Sequence, residues 1–212
     1  MLRGLAPENP RRIFGAPSGR RILELGSDYP ANAIQFAQRD AKIIVVDPRT
    51  EAIQHARQLC DESKQKVEYH VGDLADLAFL RVDYIDAVLA AGSLQSVEDL
   101  ARVFRQAHRV MKPEAPIVIA LHHPMDLITS DADNGALSVT HSAWDRAPYR
   151  DHADREMTPH GVSDVVNHLI RSNFHIDSIL EPVIDPADEM SQQRRYQYVP
   201  RALIIRAKKQ GI

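Results

Sequence analysis

The chain has 212 residues, 44% of them hydrophobic and 26% charged, and a formal net charge of −3. That length suits one domain, or one domain with an insertion, and the composition describes a globular protein able to bury a core. The slight negative charge argues against a whole-domain footprint on nucleic acid or on an anionic membrane.

From residue 20 onward, short β-rich runs alternate with helical periods. Ile22–Leu25 is a continuous apolar run, as expected of a strand buried on both faces. Pro30 suits a first helical position, and Ala33, Ile34 and Ala37 follow at helical spacing. "KIIVVD" is a second strand ending on Asp47. Pro48 is expected to open a second helix, with Ala52, Ile53, Ala56 and Leu59 along one stripe. "VEYHVGD" alternates and ends on Asp73. "IDAVLAAG" is a fourth strand. A helix striped with Leu100, Val103, Phe104, Ala107, Val110 and Met111 is stopped by Pro113, and "PIVIAL" is the fifth strand. Residues 122–157 are polar, contain Pro124, Gly135 and Pro148, and hold four of the ten histidines. Within them "ALSVTHSAW" alone reads as a strand. Val162, Val165, Val166, Leu169 and Ile170 mark a further helix. "FHIDSIL" and "RALIIRA" are the last strands, separated by the polar loop "DPADEMSQQRRYQYVP". Residues 1–19, with Pro7, Pro10 and Pro17, read as a lead-in segment or partial lid.

Nearly apolar strands alternating with helices predict an α/β fold, a doubly wound sheet covered on both faces. Such sheets bind ligands beyond the carboxyl ends of their strands, where strand order reverses. Gly26, Asp28, Asp47, Asp73 and Gly92 all fall just past predicted strand ends. The first turn, Gly26-Ser27-Asp28-Tyr29-Pro30, is a poor dinucleotide cradle. A dinucleotide fingerprint needs three glycines to bring the backbone against a pyrophosphate. Here Asp28 would face the phosphates, at a cost of several kcal/mol at about 4 Å and an effective dielectric near 20. NAD and FAD, and with them an NAD-dependent oxidoreductase, are disfavoured. S-adenosylmethionine has a sulfonium, an ammonium and one carboxylate, and no phosphate. Asp47 suits its two ribose hydroxyls, and Asp73 can accept from its adenine amino group.

On these residues the chain resembles the class I S-adenosylmethionine-dependent methyltransferases, in particular the small bacterial type-11 group. "ILELGSDYP" is similar to the family's first motif, with its glycines degenerate: Gly26 remains and Asp28 stands in place of the second. "IIVVDP" is similar to the acidic end of strand two, and "VGDLADL" to the adenine-contacting segment. The block running from "IDAVLAAGSLQSVEDL" to "PIVIAL" is similar to the strand-helix-strand unit before strand five, with Glu114 and Ala115 replacing a usual Gly-Gly. "HHPMDL" and "GVSDVVNHLIRSNFHIDSILEP" also match. The similarity covers residues 20–207. It implies a Rossmann-like, seven-stranded, mostly parallel sheet with an antiparallel final strand. It also implies methyl transfer to an oxygen, nitrogen or carbon of a small molecule. Glu24, Gly26 and Asp28 would then flank the cofactor's amino-acid end, Asp47 its ribose, and Asp73 with Leu74 its adenine. Gly92 and Ser93 would line the floor near the sulfonium, and residues 122–157 would form an insertion or lid over the acceptor. The substituted turn keeps a rival open: a catalytically inactive methyltransferase-like binding or assembly module.

The protein's task in such a reaction is to align the acceptor and exclude water; an oxygen or nitrogen acceptor also needs a base. His122 and His123, just past strand five, are the candidate bases, and the plainer reading is that they cap a strand end. His141, Trp144 and Tyr149 are placed to shape an aromatic acceptor pocket, or to pack the insertion onto the domain. No metal is expected: no helical i, i+4 pair or close His-carboxylate motif organises His122, His123, His141, His152 and His160. "GSL" at 92–94 lacks the flanking glycines of a nucleophile elbow. Cys60 is the single cysteine; it reads as helix-end packing, and the absence of a disulfide fits a reducing compartment. No apolar run approaches the ~20 residues that span a bilayer, and no signal peptide is evident, so a cytoplasmic location is expected. A small-molecule acceptor is the expected partner, without nucleic acid or membrane, and a homodimer is compatible with the sequence.

Overall fold

The computed structural model describes residues 14–132, 136–150, 156–183 and 194–211. The apolar runs become strands and the periodic stretches become helices. In order they are β1 (Arg21–Leu25), α1 (Pro30–Ala37), β2 (Lys42–Asp47), α2 (Thr50–Glu62), β3 (Val67–Val71), β4 (Ala87–Ala91), α3 (Leu100–Val110) and β5 (Pro116–His122). Then follow α4 (Pro124–Ile128), β6 (Thr129–Asp131), β7 (Leu137–Val139), β8 (Tyr149–Arg150), β9 (Glu156–Met157), α5 (Val162–Arg171), β10 (Phe174–Leu180) and β11 (Ala202–Lys209).

Seven strands form one sheet in the order β10-β11-β5-β4-β1-β2-β3. The pairs β3-β2, β2-β1, β1-β4 and β4-β5 are parallel, whereas β11 runs antiparallel to both β5 and β10. The fold is therefore the expected Rossmann-like, mostly parallel sheet with an antiparallel final strand. Strand order reverses between β1 and β4. The crevice beyond their carboxyl ends is where such a sheet presents a ligand site.

Two cores hold the layers together. On one face Phe104, Val103, Ala107, Val165 and Leu169 of α3 and α5 pack with Leu23, Leu25, Val88, Ile117 and Ile119. On the other, Phe14, Ala33 and Ile53 pack with Ile22, Ile43, Val45, Leu89 and Val118. Consecutive residues of one strand thus go to opposite cores, which is why these strands read as unbroken apolar runs rather than alternating ones. Ile170, expected on the inner stripe of α5, is exposed at its end. Cys60 is buried at the end of α2, its Sγ 3.3 Å from the Gln65 carbonyl.

Two local expectations change, and one substitution shows its conformational cost. Pro48 does not open α2. Asp47 turns its carboxylate onto the Arg49 amide (2.8 Å), which holds Arg49 extended as the N-cap and delays the helix to Thr50. The stretch expected to form one strand from Ala136 pairs only over Leu137–Val139, against β6, and β8 pairs with β9. Glu114, where glycine is usual, has φ of 62°, a left-handed conformation that strains a residue with a side chain. Residues 1–13 of the expected lead-in, together with Gly135, His152 and residues 184–193 of the late loop, lie outside the described residues.

Candidate active site

The switch-point crevice is built where β1 exits beside β4. Gly26 has φ of +88°, and a Cβ there would lie 2.2 Å from the Ser93 Cβ. Glycine is obligatory at this crossing because both the backbone conformation and the space exclude a side chain. The Gly26 amide donates to the Val46 carbonyl at 2.7 Å, and the Ser93 hydroxyl donates to the Leu25 carbonyl. The one glycine kept in the turn therefore joins β1, β2 and the exit of β4. Gly92 has φ of +81°, and a Cβ there would come within 3.2 Å of the Tyr29 ring and 3.7 Å of the Asp28 carboxylate. Asp28 and Tyr29 thus lean across the crevice toward Gly92.

Three carboxylates gather on the β1-β2 side. Glu24 is buried, with the Asn32 amide 3.3 Å from its Oε1. Burial pushes its carboxyl up to about 8; the Asn32 hydrogen bond opposes that shift and the Asp28 charge adds to it. Asp47 is 0% exposed. Its Oδ2 accepts from the Ser27 amide (2.7 Å), the Ser27 hydroxyl (2.9 Å) and Arg49 Nη2 (2.6 Å). Its Oδ1 accepts from the Arg49 amide (2.8 Å) and Arg49 Nε (2.9 Å). Burial would raise the Asp47 carboxyl, but these Arg49 and Ser27 donors outweigh it and hold the group below the usual carboxylate range. Arg49 also reaches Asp28, Nη1 to Oδ1 at 3.0 Å. Further along the rim Asp73 is exposed and caps its own turn by accepting from the Ala75 amide at 2.8 Å. Leu74 lies in the core with Leu25, Val46 and Leu94, so its side chain is buried beneath the rim.

The β4-β5 side carries the histidine pair, and the two differ. His123 is buried; its Nδ1 accepts from the Met125 amide (3.0 Å), so the ring proton is on Nε2, which faces Glu181 Oε1 at 2.9 Å. Both nitrogens are engaged, Nδ1 in capping α4 and Nε2 with Glu181. His122 places Nδ1 3.2 Å from Asp126 Oδ2 and leaves its side chain 32% exposed. No partner faces its Nε2 among the described residues. Asp126 is buried. Burial alone would raise its carboxyl, yet His122, the Tyr196 hydroxyl and the Arg195 guanidinium (Nη2 to Oδ1 3.3 Å) hold it low. An ionised Asp126 draws the imidazole proton to Nδ1 and leaves the outward Nε2 as a lone-pair acceptor. The His122 amide in turn donates to Gln95 Oε1 (3.2 Å) in the turn Ser93–Ser96 that floors the crevice. Residues 158–160 close over that turn, with the Thr158 amide on the Gln95 carbonyl (2.6 Å) and His160 Nε2 on the Val97 carbonyl (2.8 Å).

The structure therefore brings Glu24, Gly26, Asp28, Asp47, Gly92 and Ser93 to one crevice, with His122 next to its floor. His141 and Trp144 are not drawn in: Trp144 is 86% exposed, and His141 is exposed with Nδ1 2.9 Å from the Thr140 hydroxyl. Tyr149 sits in the short ribbon with Met157. The expectation that no His-carboxylate pair exists is also corrected, since His122 and Asp126 are an i, i+4 pair in contact. The spacing was present in "HHPMD", but Pro124 hid the short helix that uses it. Gln95, Arg195 and Tyr196 were missed, because nothing in a sequence pairs them with partners 27, 69 or 70 residues away; Arg49 was missed although its main partner, Asp47, is only two residues away. Among the described residues no three His, Cys, Asp or Glu side chains converge as a metal-binding group, and no helix is long and apolar enough to cross a membrane.

Residues 23–119 match the family model described as a methyltransferase domain. A magnesium-protoporphyrin O-methyltransferase of Rhodobacter capsulatus is 33% identical over 72 residues, 34% of this chain and 32% of that protein. A ubiquinone biosynthesis O-methyltransferase of Xanthomonas axonopodis pv. citri is 27% identical over 104 residues, 49% of this chain and 44% of that protein. The matched stretches thus span less than half the length of these curated relatives. The solved structure of a putative S-adenosylmethionine-dependent methyltransferase from Listeria monocytogenes superposes with a TM-score of 0.78 at 18% identity, covering 95% of each chain. Residues 23–119 thus carry the match to a methyltransferase domain, and nearly the whole chain shares the fold of a solved S-adenosylmethionine-dependent methyltransferase.

Proposed function

We propose that the chain transfers a methyl group from S-adenosylmethionine to an oxygen of a small molecule, with His122 as the general base. The observation that carries this reading is the asymmetry of the histidine pair: His123 has both ring nitrogens engaged, whereas His122 is oriented by Asp126 and keeps Nε2 outward. The two curated relatives named above are O-methyltransferases, which favours an oxygen acceptor.

The donor set fits the cofactor. Glu24 and Asp28 suit its ammonium and sulfonium charges, and Asp47 suits the ribose diol. Asp73 is exposed toward an adenine amino group, and the backbone at Leu74, Gly92 and Ser93 supplies the walls. When bound, the cofactor supplies an activated methyl group whose departing electron pair stays on sulfur as a neutral thioether. His122 Nε2 takes the acceptor's hydroxyl proton as the oxygen lone pair forms the new C–O bond. Asp126, held by Arg195 and Tyr196, keeps the ring in the tautomer that can do so. The described residues of the 122–157 stretch, whose far end at Met157 lies on the turn that holds Gln95, form the cover over the acceptor. They exclude water and hold the acceptor in line.

The test is transfer of label from methyl-labelled S-adenosylmethionine to a panel of small phenols and carboxylic acids. The wild-type chain should label at least one oxygen. His122→Ala should lower kcat by about 10²–10³-fold while S-adenosylhomocysteine affinity stays within about twofold. His123→Ala should act mainly by lowering the Tm. Equal turnover by His122→Ala rejects the base assignment. The rival, an inactive binding module, gains if neither cofactor nor product binds and Asp28→Gly restores binding.

A further inference from the structure

The acidic end of β2, which the proposed function assigns to the ribose, is already occupied by the chain itself. Asp47 offers about four lone-pair positions, and five donors converge on them, three of those from Arg49. The guanidinium meets the carboxylate as a fork, Nε on Oδ1 at 2.9 Å and Nη2 on Oδ2 at 2.6 Å. That is one donor to each oxygen, the pattern that two vicinal hydroxyls present. No acceptor position is left for a ribose while the fork is closed. Removing the guanidinium leaves a single donor on Oδ1. It leaves two on Oδ2, one of them the Ser27 hydroxyl, which can rotate away.

We infer that Arg49 is an internal occupant of the ribose site, a latch across Asp47 and Asp28 that an adenosyl ligand must displace. The latch is built to open. Arg49 is 36% exposed on its side chain, at the lip of the crevice, whereas Asp47 and Asp28 are 0% and 9% exposed on theirs. The guanidinium can swing into water without unpacking the core, and the carboxylates stay in place. Opening leaves Asp47 still held by the Ser27 and Arg49 backbone amides. The carboxylate is therefore never wholly unpaired during the exchange. The latch also explains how Asp28 is tolerated in the turn. Its charge is paired across the crevice at 3.0 Å, so it does not stand alone beside buried Glu24. The cost is competition: breaking a charge-assisted, two-pronged contact is charged against every binding event.

This inference rests on the cofactor reading, and one set of titrations separates the two. S-adenosylhomocysteine is titrated calorimetrically into the wild-type chain, Arg49→Gln and Asp47→Ala. Arg49→Gln keeps two of the stem's methylenes and an amide NH2 donor, and its ligand-free Tm, recorded alongside, checks that the variant folds. Arg49→Gln should bind about tenfold more tightly than wild type. Its ligand-free Tm should be lower and its ligand-induced Tm rise larger, and Asp47→Ala should bind more weakly. If Arg49→Gln binds no more tightly while Asp47→Ala still loses affinity, the latch is overturned and the ribose site stands. Unchanged affinity in Asp47→Ala overturns the latch together with the ribose assignment. If none of the three proteins binds the ligand, the cofactor reading falls and the latch falls with it.

Discussion

The two sides of the crevice solve opposite problems. On the β1-β2 side, Glu24, Asp28 and Asp47 are close together and largely buried, and an arginine from the start of α2 closes over two of them. On the β4-β5 side, the buried Asp126 is likewise surrounded by cationic and hydrogen-bonding partners, but they leave one imidazole nitrogen outward. On the proposed reading, the first side holds charge in store until a ligand replaces an internal partner, and the second presents an acceptor for a proton. Burying a carboxylate therefore does not by itself define a binding group; the count of donors around it does.

The largest effect that would break this contrast is on the β5 side. Asp126→Asn replaces the carboxylate that sets the His122 tautomer. It should lower kcat by about tenfold to a hundredfold with KM for the cofactor unchanged. A parallel loss of cofactor affinity would mean that the two sides are one cluster and the contrast is false. The next effect sharpens the β1 side. Glu24 titrates at about 8 in the folded chain against 4.5 as its ordinary value. The folded state therefore holds the proton more tightly, so stability falls as pH rises between those values and levels off above about 8. The slope is up to about 1.4 kcal/mol per pH unit. Glu24→Gln should lack that slope, which denaturation across the pH range will read. Binding of a cationic ligand should also drive Glu24 toward its charged form and release a proton near neutral pH. Calorimetry in buffers of different ionisation enthalpy would detect the release, and heats that do not vary with buffer would reject it. The smallest effect is a control away from both sides. Glu114→Gly relieves a left-handed residue at the entry to β5 and should raise stability by up to about 1 kcal/mol, with no change in ligand affinity or turnover.

Much of the fold was legible. Runs such as Ile43-Ile44-Val45-Val46 have no polar face to turn outward, so they announce a strand covered on both sides. The helical stripe through Leu100, Val103, Phe104, Ala107 and Val110 is buried along its length as its spacing predicts. Pro48 misled because proline is as content just before a helix as inside its first turn, and the local Asp47-Arg49 bond decided between them. The polar stretch 122–157 was less legible, since its ribbons are two or three residues long and depend on partners rather than on period.

By itself, then, the sequence determined the layered α/β architecture and which carboxylates and histidines lie near the strand ends. Hydrophobic period is a local property, and strand ends are marked by local punctuation. Only the tertiary structure decided which of those groups face a ligand and which face one another. That choice depends on partners brought together from distant positions: Ser27 on Asp47, Arg195 and Tyr196 on Asp126, and the Glu181 carboxylate that accepts from His123. A buried polar atom's role is set by the donors that reach it, and chain folding alone brings them within reach.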